Sequence, residues 1–505
     1  MTERAGNLDG APMLVIGAGI MGAGIAQVAA QAGHPVRLYD ARAGAAAAAR
    51  EKLASTFDTL VAKGRVQRDA ADAALARIAP VDDLDAATDV ALVVEAIVED
   101  MDVKRTLLRD LEARVDARCV LASNTSSLSI TAMSQGMRHP GRLVGMHFFN
   151  PVPLMQLVEV VSGLRSDPQV AGAVHALALR WGKVPVHTRS TPGFIVNRIA
   201  RPYYAETLEL LQIGAATPRQ LDACLRGAGF RMGPCELMDL IGHDTNFAVT
   251  HAVYTANFYD KRFKPSLVQR ELVDAGWLGR KSGHGFYDYA QGIEVPAPDA
   301  FEARPMAAFA QPGVQAVVAG MGPVAERLAT ALQGHGLDFG RDTSANWVGL
   351  RVGDAQLRQS DGSTAGALGA EVAVFDLPLA DTPSAALAWA ASPGASPSWC
   401  EAAPQWLHLL GFTPQRIADT PGLVVARTVA MLINEAADAV QQGVCTEDGA
   451  DTAMKLGVNY PAGPFEWLAR WDVRTVVGLL DALDASERGE RYRVSPWLRR
   501  LAALA

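Results

Sequence analysis

Apolar and polar positions alternate between two periods along this chain, and the change of period marks its organisation. Met13-Leu14-Val15-Ile16 is a short apolar run that reads as a buried strand. Gly17-Ala18-Gly19-Ile20-Met21-Gly22 follows at once, then a small-residue helical stretch, Ala23 to Ala32, that stops at Gly33. Val36-Arg37-Leu38-Tyr39-Asp40 is a second strand ending in a carboxylate, so a βαβ unit closes within about thirty residues. Further strands are expected at Val90 to Val94, Val120 to Ser123 and Leu143 to Phe149, with helical intervals such as Asp102 to Asp116. This predicts a mostly parallel, doubly wound sheet over roughly residues 1–188. From Pro192 strand signals vanish, and stretches such as Ile195 to Gln212 and Pro218 to Gly227 read as amphipathic helices. The predicted class is α/β: an N-terminal Rossmann-type sheet followed by all-α domains.

An internal repeat refines that division. Thr191-Pro192-Gly193-Phe194-Ile195-Val196-Asn197-Arg198 returns as Thr420-Pro421-Gly422-Leu423-Val424-Val425-Ala426-Arg427. Gly233-Pro234-Cys235-Glu236 returns as Gly463-Pro464-Phe465-Glu466, in nearly the same register. Two landmarks held at one spacing indicate a duplicated helical domain. Between the copies, Val314 to Val318 precedes Gly320-Met321-Gly322-Pro323-Val324-Ala325, a strand and a damaged glycine turn. No carboxylate-tipped second strand follows it at the usual distance. The predicted domains are 1–188 (nucleotide-binding sheet), 189–290 (helical), 291–408 (linker or degenerate Rossmann-like fold) and 409–505 (second helical copy).

Composition narrows the partners. Lys and Arg number 46 against 54 Asp and Glu, a formal net charge of −8, which disfavours nonspecific nucleic-acid binding. Hydrophobic residues are 49% and charged residues 20%, the balance of a globular protein. No stretch has the length of uncharged apolar residues that a membrane helix requires, and Met1 to Pro12 lacks the pattern of a secretory signal. The five cysteines are scattered without a C-x-x-C pair, so neither a zinc site nor a disulfide framework is expected, and the expected compartment is the cytoplasm. No metal site is expected.

Chemistry concentrates in the first sheet. The G-x-G-x-x-G turn permits close backbone approach to a pyrophosphate at a helix N-terminus. Asp40 follows Gly17 at the spacing where a ribose 2′-hydroxyl needs an acceptor, which favours NAD over NADP, while Arg42 keeps NADP open. His147 ends a strand, and Glu159 sits in the apolar run Leu157 to Val161, where a carboxylate needs a partner. The two suit removal of a hydroxyl proton; a structural histidine with an unrelated carboxylate is the alternative. Ser123 to Ser127 follows a strand and reads equally as a helix cap. Asn197 keeps a polar group where the repeat has Ala426. Lys281, in Gly279 to Gly283, is a phosphate contact or a solvated lysine.

Together these segments resemble the L-3-hydroxyacyl-CoA dehydrogenases. The matching residues are Gly17 to Gly22, Val94 to Glu99, Ser123 to Ser127, His147-Phe148-Phe149-Asn150-Pro151, Pro192 to Arg198 and Lys281 to Tyr287. The duplicated layout is similar to the bacterial subgroup acting on 3-hydroxybutyryl-CoA or, in phenylacetate breakdown, 3-hydroxyadipyl-CoA. The resemblance implies His147 as catalytic base, Glu159 as its partner, Ser126 against the reacting oxygen and Asn197 assisting. It implies NAD contacts from Gly17, Gly19, Ile20, Met21, Gly22, Asp40, Glu99, Lys104, Ser126, Asn150 and Lys281. Substrate is expected in the cleft between the sheet and the first helical domain. The expected reaction is NAD-dependent oxidation of an L-3-hydroxyacyl-CoA to the 3-ketoacyl-CoA. The alternatives are a free hydroxy acid as substrate, or a nucleotide-binding scaffold without catalysis. The implied partner is an acyl-CoA, with the chain a monomer by internal duplication or a homodimer. Ala426 and Ala325 imply that the second half has no active site of its own.

Overall fold

The structure is a computed structural model that describes residues 8–290, 292, 300–305, 314–379 and 384–505. The chain start read above, Met1 to Asn7, and parts of the segment 291–408 lie outside the described residues. Contacts divide the chain into two units, residues 1–198 with 439–458, and residues 199–438 with 459–505.

The first unit is built on an eight-stranded sheet of β1 (Met13–Ile16), β2 (Val36–Tyr39), β3 (Ile78–Val81), β4 (Leu92–Glu95), β5 (Val120–Ser123), β6 (Leu143–Phe148), β7 (Leu157–Ser162) and β8 (Val184–Arg189). Its order is β3-β2-β1-β4-β5-β6-β7-β8, parallel throughout except that β7 runs antiparallel to β6. The order reverses on either side of β1, which opens a crevice at the strand ends there. Apolar layers cover both faces: Val15, Leu38 and Val94 point to one, Leu14, Val93 and Leu121 to the other. That is why these strands read as continuous apolar runs rather than alternating ones.

Residues 439–458, although they belong to the second helical copy by sequence, group with this sheet. The helix Glu447–Val458 packs on β7 and β8. Gly457 lies at this contact, where a Cβ would meet the Cδ2 end of the Leu157 side chain at 2.7 Å. The Arg189 amide donates to the Val444 carbonyl at 3.0 Å, and Arg198 donates to Gln442 Oε1 at 2.9 Å.

The second unit carries helices such as Arg201–Gln212 and Pro218–Gly227, and a second sheet of seven strands: β9 (Ala316–Ala319), β10 (Phe339–Asp342), β11 (Gly349–Val352), β12 (Ala355–Gln359), β13 (Val372–Phe375), β14 (Ala385–Ala391) and β15 (Phe412–Arg416). The order β10-β9-β11-β12-β13-β14-β15 repeats that of β2-β1-β4-β5-β6-β7-β8, but β11 is antiparallel to both of its neighbours. No carboxylate stands at the usual distance from the damaged turn, but a carboxylate-tipped strand does follow it. β10 ends in Asp342, whose carbonyl accepts from the Gly320 amide at 2.9 Å as that of Tyr39 accepts from Gly17 at 2.8 Å. Asp342 thus sits one position before the equivalent of Asp40, and its carboxylate accepts from Ser344 Oγ at 2.7 Å.

Within this unit the two helical copies exchange ion pairs reciprocally. Arg262 binds Glu435 at 3.1 Å and Asp438 at 2.6 Å; Arg491 binds Glu206 at 2.8 Å and approaches Glu209 at 3.9 Å. Arg262 and Arg491, Glu206 and Glu435, and Glu209 and Asp438 are each separated by the spacing of the sequence repeat. The contact is therefore two-fold symmetric within one chain, the arrangement of an isologous interface. Among the described residues no helix is long and apolar enough to cross a membrane.

Removing one member of a buried pair leaves its partner's charge uncompensated. Arg262→Met is expected to cost about 3 kcal/mol by that mechanism, read as a lowered urea midpoint at unchanged slope; an unchanged midpoint would show the pair to be energetically idle.

Candidate active site

The glycine turn between β1 and the helix Ile20–Gln31 has the shape its sequence requires. Gly17 adopts φ 100°, and a Cβ there would lie 2.4 Å from the Ala96 carbonyl oxygen; one on Gly22 would lie 1.8 Å from that of Gly17. Both positions admit only glycine. A Cβ on Gly19, by contrast, meets nothing within 4 Å, so the backbone at the helix N-terminus faces open space where an anion can approach. Ile20 is 77% exposed there.

Asp40 leaves the end of β2 and accepts from the Ala18 amide at 2.8 Å, which ties it to the same turn. Arg42 Nε donates to Asp40 Oδ1 at 3.0 Å and Nη2 to Oδ2 at 3.2 Å. Those hydrogen bonds hold the Asp40 carboxyl down at about 2, so it is ionised throughout the physiological range. The residues present fit a dinucleotide: an open cradle, exposed amides and a fixed acceptor. Arg42 is engaged by Asp40 rather than free to meet a 2′-phosphate.

His147 and Glu159 face each other across β6 and β7, the one antiparallel pair in this sheet. His147 Nδ1 lies 2.6 Å from Glu159 Oε2. A carboxylate only accepts, so Nδ1 carries the proton and Nε2 is left with its lone pair. Glu159 is wholly buried, and its other oxygen, Oε1, accepts from the amides of Ile195 and Val196 at 3.0 Å each. Phe194 just before them has φ 48°, a conformation unusual for a side-chain-bearing residue. The His147 ring packs against Phe149 and Phe194, at 4.5 and 5.9 Å between centroids. Nε2 has no hydrogen-bond partner among the described residues.

The Ser123 to Ser127 loop is organised by Glu99. Its Oε1 accepts from the Thr125 hydroxyl at 2.7 Å, the Ser126 amide at 2.9 Å and the Ser127 hydroxyl at 3.0 Å. Burial opposes ionisation of Glu99, but these donors and Lys104 outweigh it and hold the carboxyl below its ordinary value. Asn197 Nδ2 donates to the Ser126 carbonyl at 3.3 Å, which brings these two residues together. Asn124 Oδ1 accepts from the Phe148 amide at 2.9 Å, fixing the loop beside the strand that carries His147.

Other residues are placed differently. Lys104 is buried, with Nζ 2.9 and 2.8 Å from the two oxygens of Glu95; Ser123 also donates to Glu95. Glu95, which the sequence reading did not single out as a site residue, is the anchor of this network, and its signal was a carboxylate ending an apolar strand. Asn150 is exposed at the loop after β6. Lys281 belongs to the other unit, where Nζ lies 2.5 Å from Asp244 Oδ1.

A doubly wound sheet with an open glycine cradle, a fixed acceptor beside it and an imidazole on a buried carboxylate defines an NAD-binding dehydrogenase. The model described as 3-hydroxyacyl-CoA dehydrogenase, NAD binding domain, matches residues 13–191, and that described as its C-terminal domain matches residues 193–289 and 422–505. A third, the 3-hydroxybutyryl-CoA dehydrogenase reduced Rossmann-fold domain, matches residues 357–421. The chain is 42% identical over 493 residues to a 3-hydroxyadipyl-CoA dehydrogenase of Escherichia coli (strain K12), covering 97% of each. A crystal structure of a 3-hydroxybutyryl-CoA dehydrogenase from Escherichia coli K12 matches with TM-score 0.89 and 41% identity, covering 98% of this chain and 99% of that one. The (S)-3-hydroxybutyryl-CoA dehydrogenase of Ralstonia eutropha matches 55% of this chain and 99% of its own, at TM-score 0.54 and 38% identity. The chain belongs to the 3-hydroxyacyl-CoA dehydrogenase family, and its reaction is the NAD-dependent oxidation of a 3-hydroxyacyl-CoA.

A charged acceptor to a ribose hydroxyl contributes on the order of 1.5 kcal/mol, about tenfold in affinity. Asp40→Ala is expected to weaken NAD binding by about that factor and to narrow the preference over NADP, since the carboxylate that repels a 2′-phosphate is gone. Fluorescence titration with both cofactors checks this; an unchanged ratio would assign discrimination elsewhere.

Proposed function

We propose that His147 is the base that takes the hydroxyl proton of a 3-hydroxyacyl-CoA, that Glu159 orients it, and that Ser126 and Asn197 hold the reacting oxygen. The observation that carries this reading is the 2.6 Å contact at Nδ1, which leaves Nε2 as the available base. The carboxylate opposite Nδ1–H stabilises the imidazolium as the proton arrives. Fixing the oxygen on hydroxyl and amide groups contributes orientation as well as polarity. In this reading Gly17, Gly19, Ile20, Met21, Gly22 and Asp40 hold NAD, which when bound accepts the hydride from C3. Glu99 shapes the serine loop, and Lys104 acts through Glu95 and Glu99. The acyl group proposed is 3-hydroxybutyryl or 3-hydroxyadipyl, in keeping with the names of the relatives and with their coverage of the whole chain. The second half, which has Ala426 where the first has Asn197, carries no reaction of its own.

His147→Gln keeps a polar side chain but removes the base. It is expected to lower kcat by about a thousandfold and to leave NAD affinity nearly intact; near-normal turnover would refute the assignment. The reciprocal ion pairs between the helical copies support a monomer, because the isologous contact is already made within one chain. Light scattering should therefore return the mass of a single chain, and a stable two-chain mass at micromolar concentration would contradict it.

A further inference from the structure

Arg262, Arg427 and Arg491 of the helical copies are paired with carboxylates, while Arg201, which lines a cavity together with Arg491, is not. Arg262 has Glu435 and Asp438, while Arg427 and Arg491 share Glu206. Arg201 is only 5% exposed and makes no ion pair among the described residues. Its Nη1 donates to Thr250 Oγ1 at 3.0 Å, its guanidinium lies 4.9 Å from the centroid of the Tyr204 ring, and its buried Nε has no partner. The Thr250 hydroxyl already donates to the Asn246 carbonyl at 2.9 Å, so its dipole offers Arg201 a lone pair and no charge.

A buried, uncompensated cation is expensive. A lysine would escape by losing its proton, but a guanidinium does not. The Thr250 hydroxyl and the Tyr204 ring offset part of that cost, an anion would offset more, and the fold supplies room for one. Arg201 lines a cavity of about 30 Å³ whose other charged residues are Lys264, Arg491 and Glu209. Since one water needs roughly 10–15 Å³, the space holds about two waters, the room taken by the two oxygens of a carboxylate.

We propose that the Arg201 cavity is a carboxylate-binding site, with the guanidinium as its recognition element. A planar carboxylate can accept from Nε and an Nη on one edge of the fork, and Nε is the donor the protein leaves unused. Such a carboxylate comes either from the far end of a dicarboxylyl-CoA or from a separate small molecule. The first source rests on the 3-hydroxyacyl-CoA reading above; Arg201 follows closely on Asn197 in the sequence.

The test uses the full-length protein and two readouts. Acetate is titrated against thermal stability, with chloride and phosphate as controls, on the wild type and on Arg201→Met. KM is then compared for 3-hydroxyadipyl-CoA and 3-hydroxyhexanoyl-CoA, which differ in the terminal group. Expected is stabilisation by acetate that phosphate does not match and that the variant loses. If KM for the carboxylated substrate also rises about tenfold in the variant while the other is unchanged, the acyl chain supplies the carboxylate. If acetate binding is lost with both KM values unchanged, a separate carboxylate occupies the site. No stabilisation of the wild type by acetate, or equal stabilisation by phosphate, overturns the proposal. Should Arg201→Met fail to fold, Arg201→Lys keeps the charge without the fork and is expected to lose most of the acetate response. The acetate titration needs no turnover, so it decides the site even if neither acyl-CoA is oxidised.

Discussion

One buried carboxylate organises the part of the first unit that carries His147 and Asn197. Glu159 is wholly inaccessible, and an ionised group there is tolerated only if every oxygen is satisfied. Oε2 takes His147 Nδ1, and Oε1 takes the amides of Ile195 and Val196. Those three bonds join the two antiparallel strands to the start of the helix that carries Asn197, and they hold Phe194 at its positive φ. The tautomer of the imidazole, the entry of the chain into the helical segment and the position of Asn197 thus follow from a single charge. Loss of that charge would affect backbone and imidazole together.

The second half of the chain separates the architectural part of this constraint from the chemical part. Across β8 from Glu159 lies Val186; across β15 from Ala388 lies Gln415, which the sequence repeat aligns with Val186. Ala388 is therefore Glu159's counterpart. Its own neighbour on the other strand is Asp376, whose amide donates to the Ala388 carbonyl at 2.9 Å, where the first copy has His147. Asp376 accepts from the amides of Val424, Val425 and Ala426 at 2.9, 2.6 and 2.9 Å, the same turn that Glu159 caps. Leu423 repeats the positive φ of Phe194, at 46°. The turn evidently requires a buried carboxylate, and the strand that provides it is interchangeable. With the carboxylate in the histidine's position, the fold keeps its cap and has no imidazole there.

What was legible in the sequence was local or periodic. The glycine turn, its distance to Asp40 and the apolar strands are short-range patterns, and the structure has them where they were read. The reading of 291–408 as a linker or degenerate Rossmann-like fold placed one strand there, Val314 to Val318, because the others carry weak signals. β14 is Ala-Ala-Leu-Ala-Trp-Ala-Ala, with neither alternation nor β-branching, and β10 is Phe-Gly-Arg-Asp. Such segments become strands through pairing with neighbours, which no window along the chain reveals. Lys104 illustrates the same limit at the site. Its position matched a cofactor contact, yet its ammonium is buried on Glu95, a partner fixed by the packing of a helix on the sheet.

The duplicated half persists without its histidine for a reason visible in the ion pairs of the second unit. A buried pair adds little net stability over an apolar contact of the same volume, but stranding one of its charges costs about 3–5 kcal/mol. Arg262 on Glu435 and Asp438, and Arg491 on Glu206, therefore act mainly against wrong alignments of the two helical copies. Any slip by a turn strands charges on both sides of the pseudo-two-fold axis at once. Neither copy can be trimmed without leaving charges of the other unpaired. Residues 439–458 add a second obligation, since they pack on β7 and β8, the strand pair next to His147. The sheet that carries His147 is thus completed by a helix that the sequence assigns to the second copy.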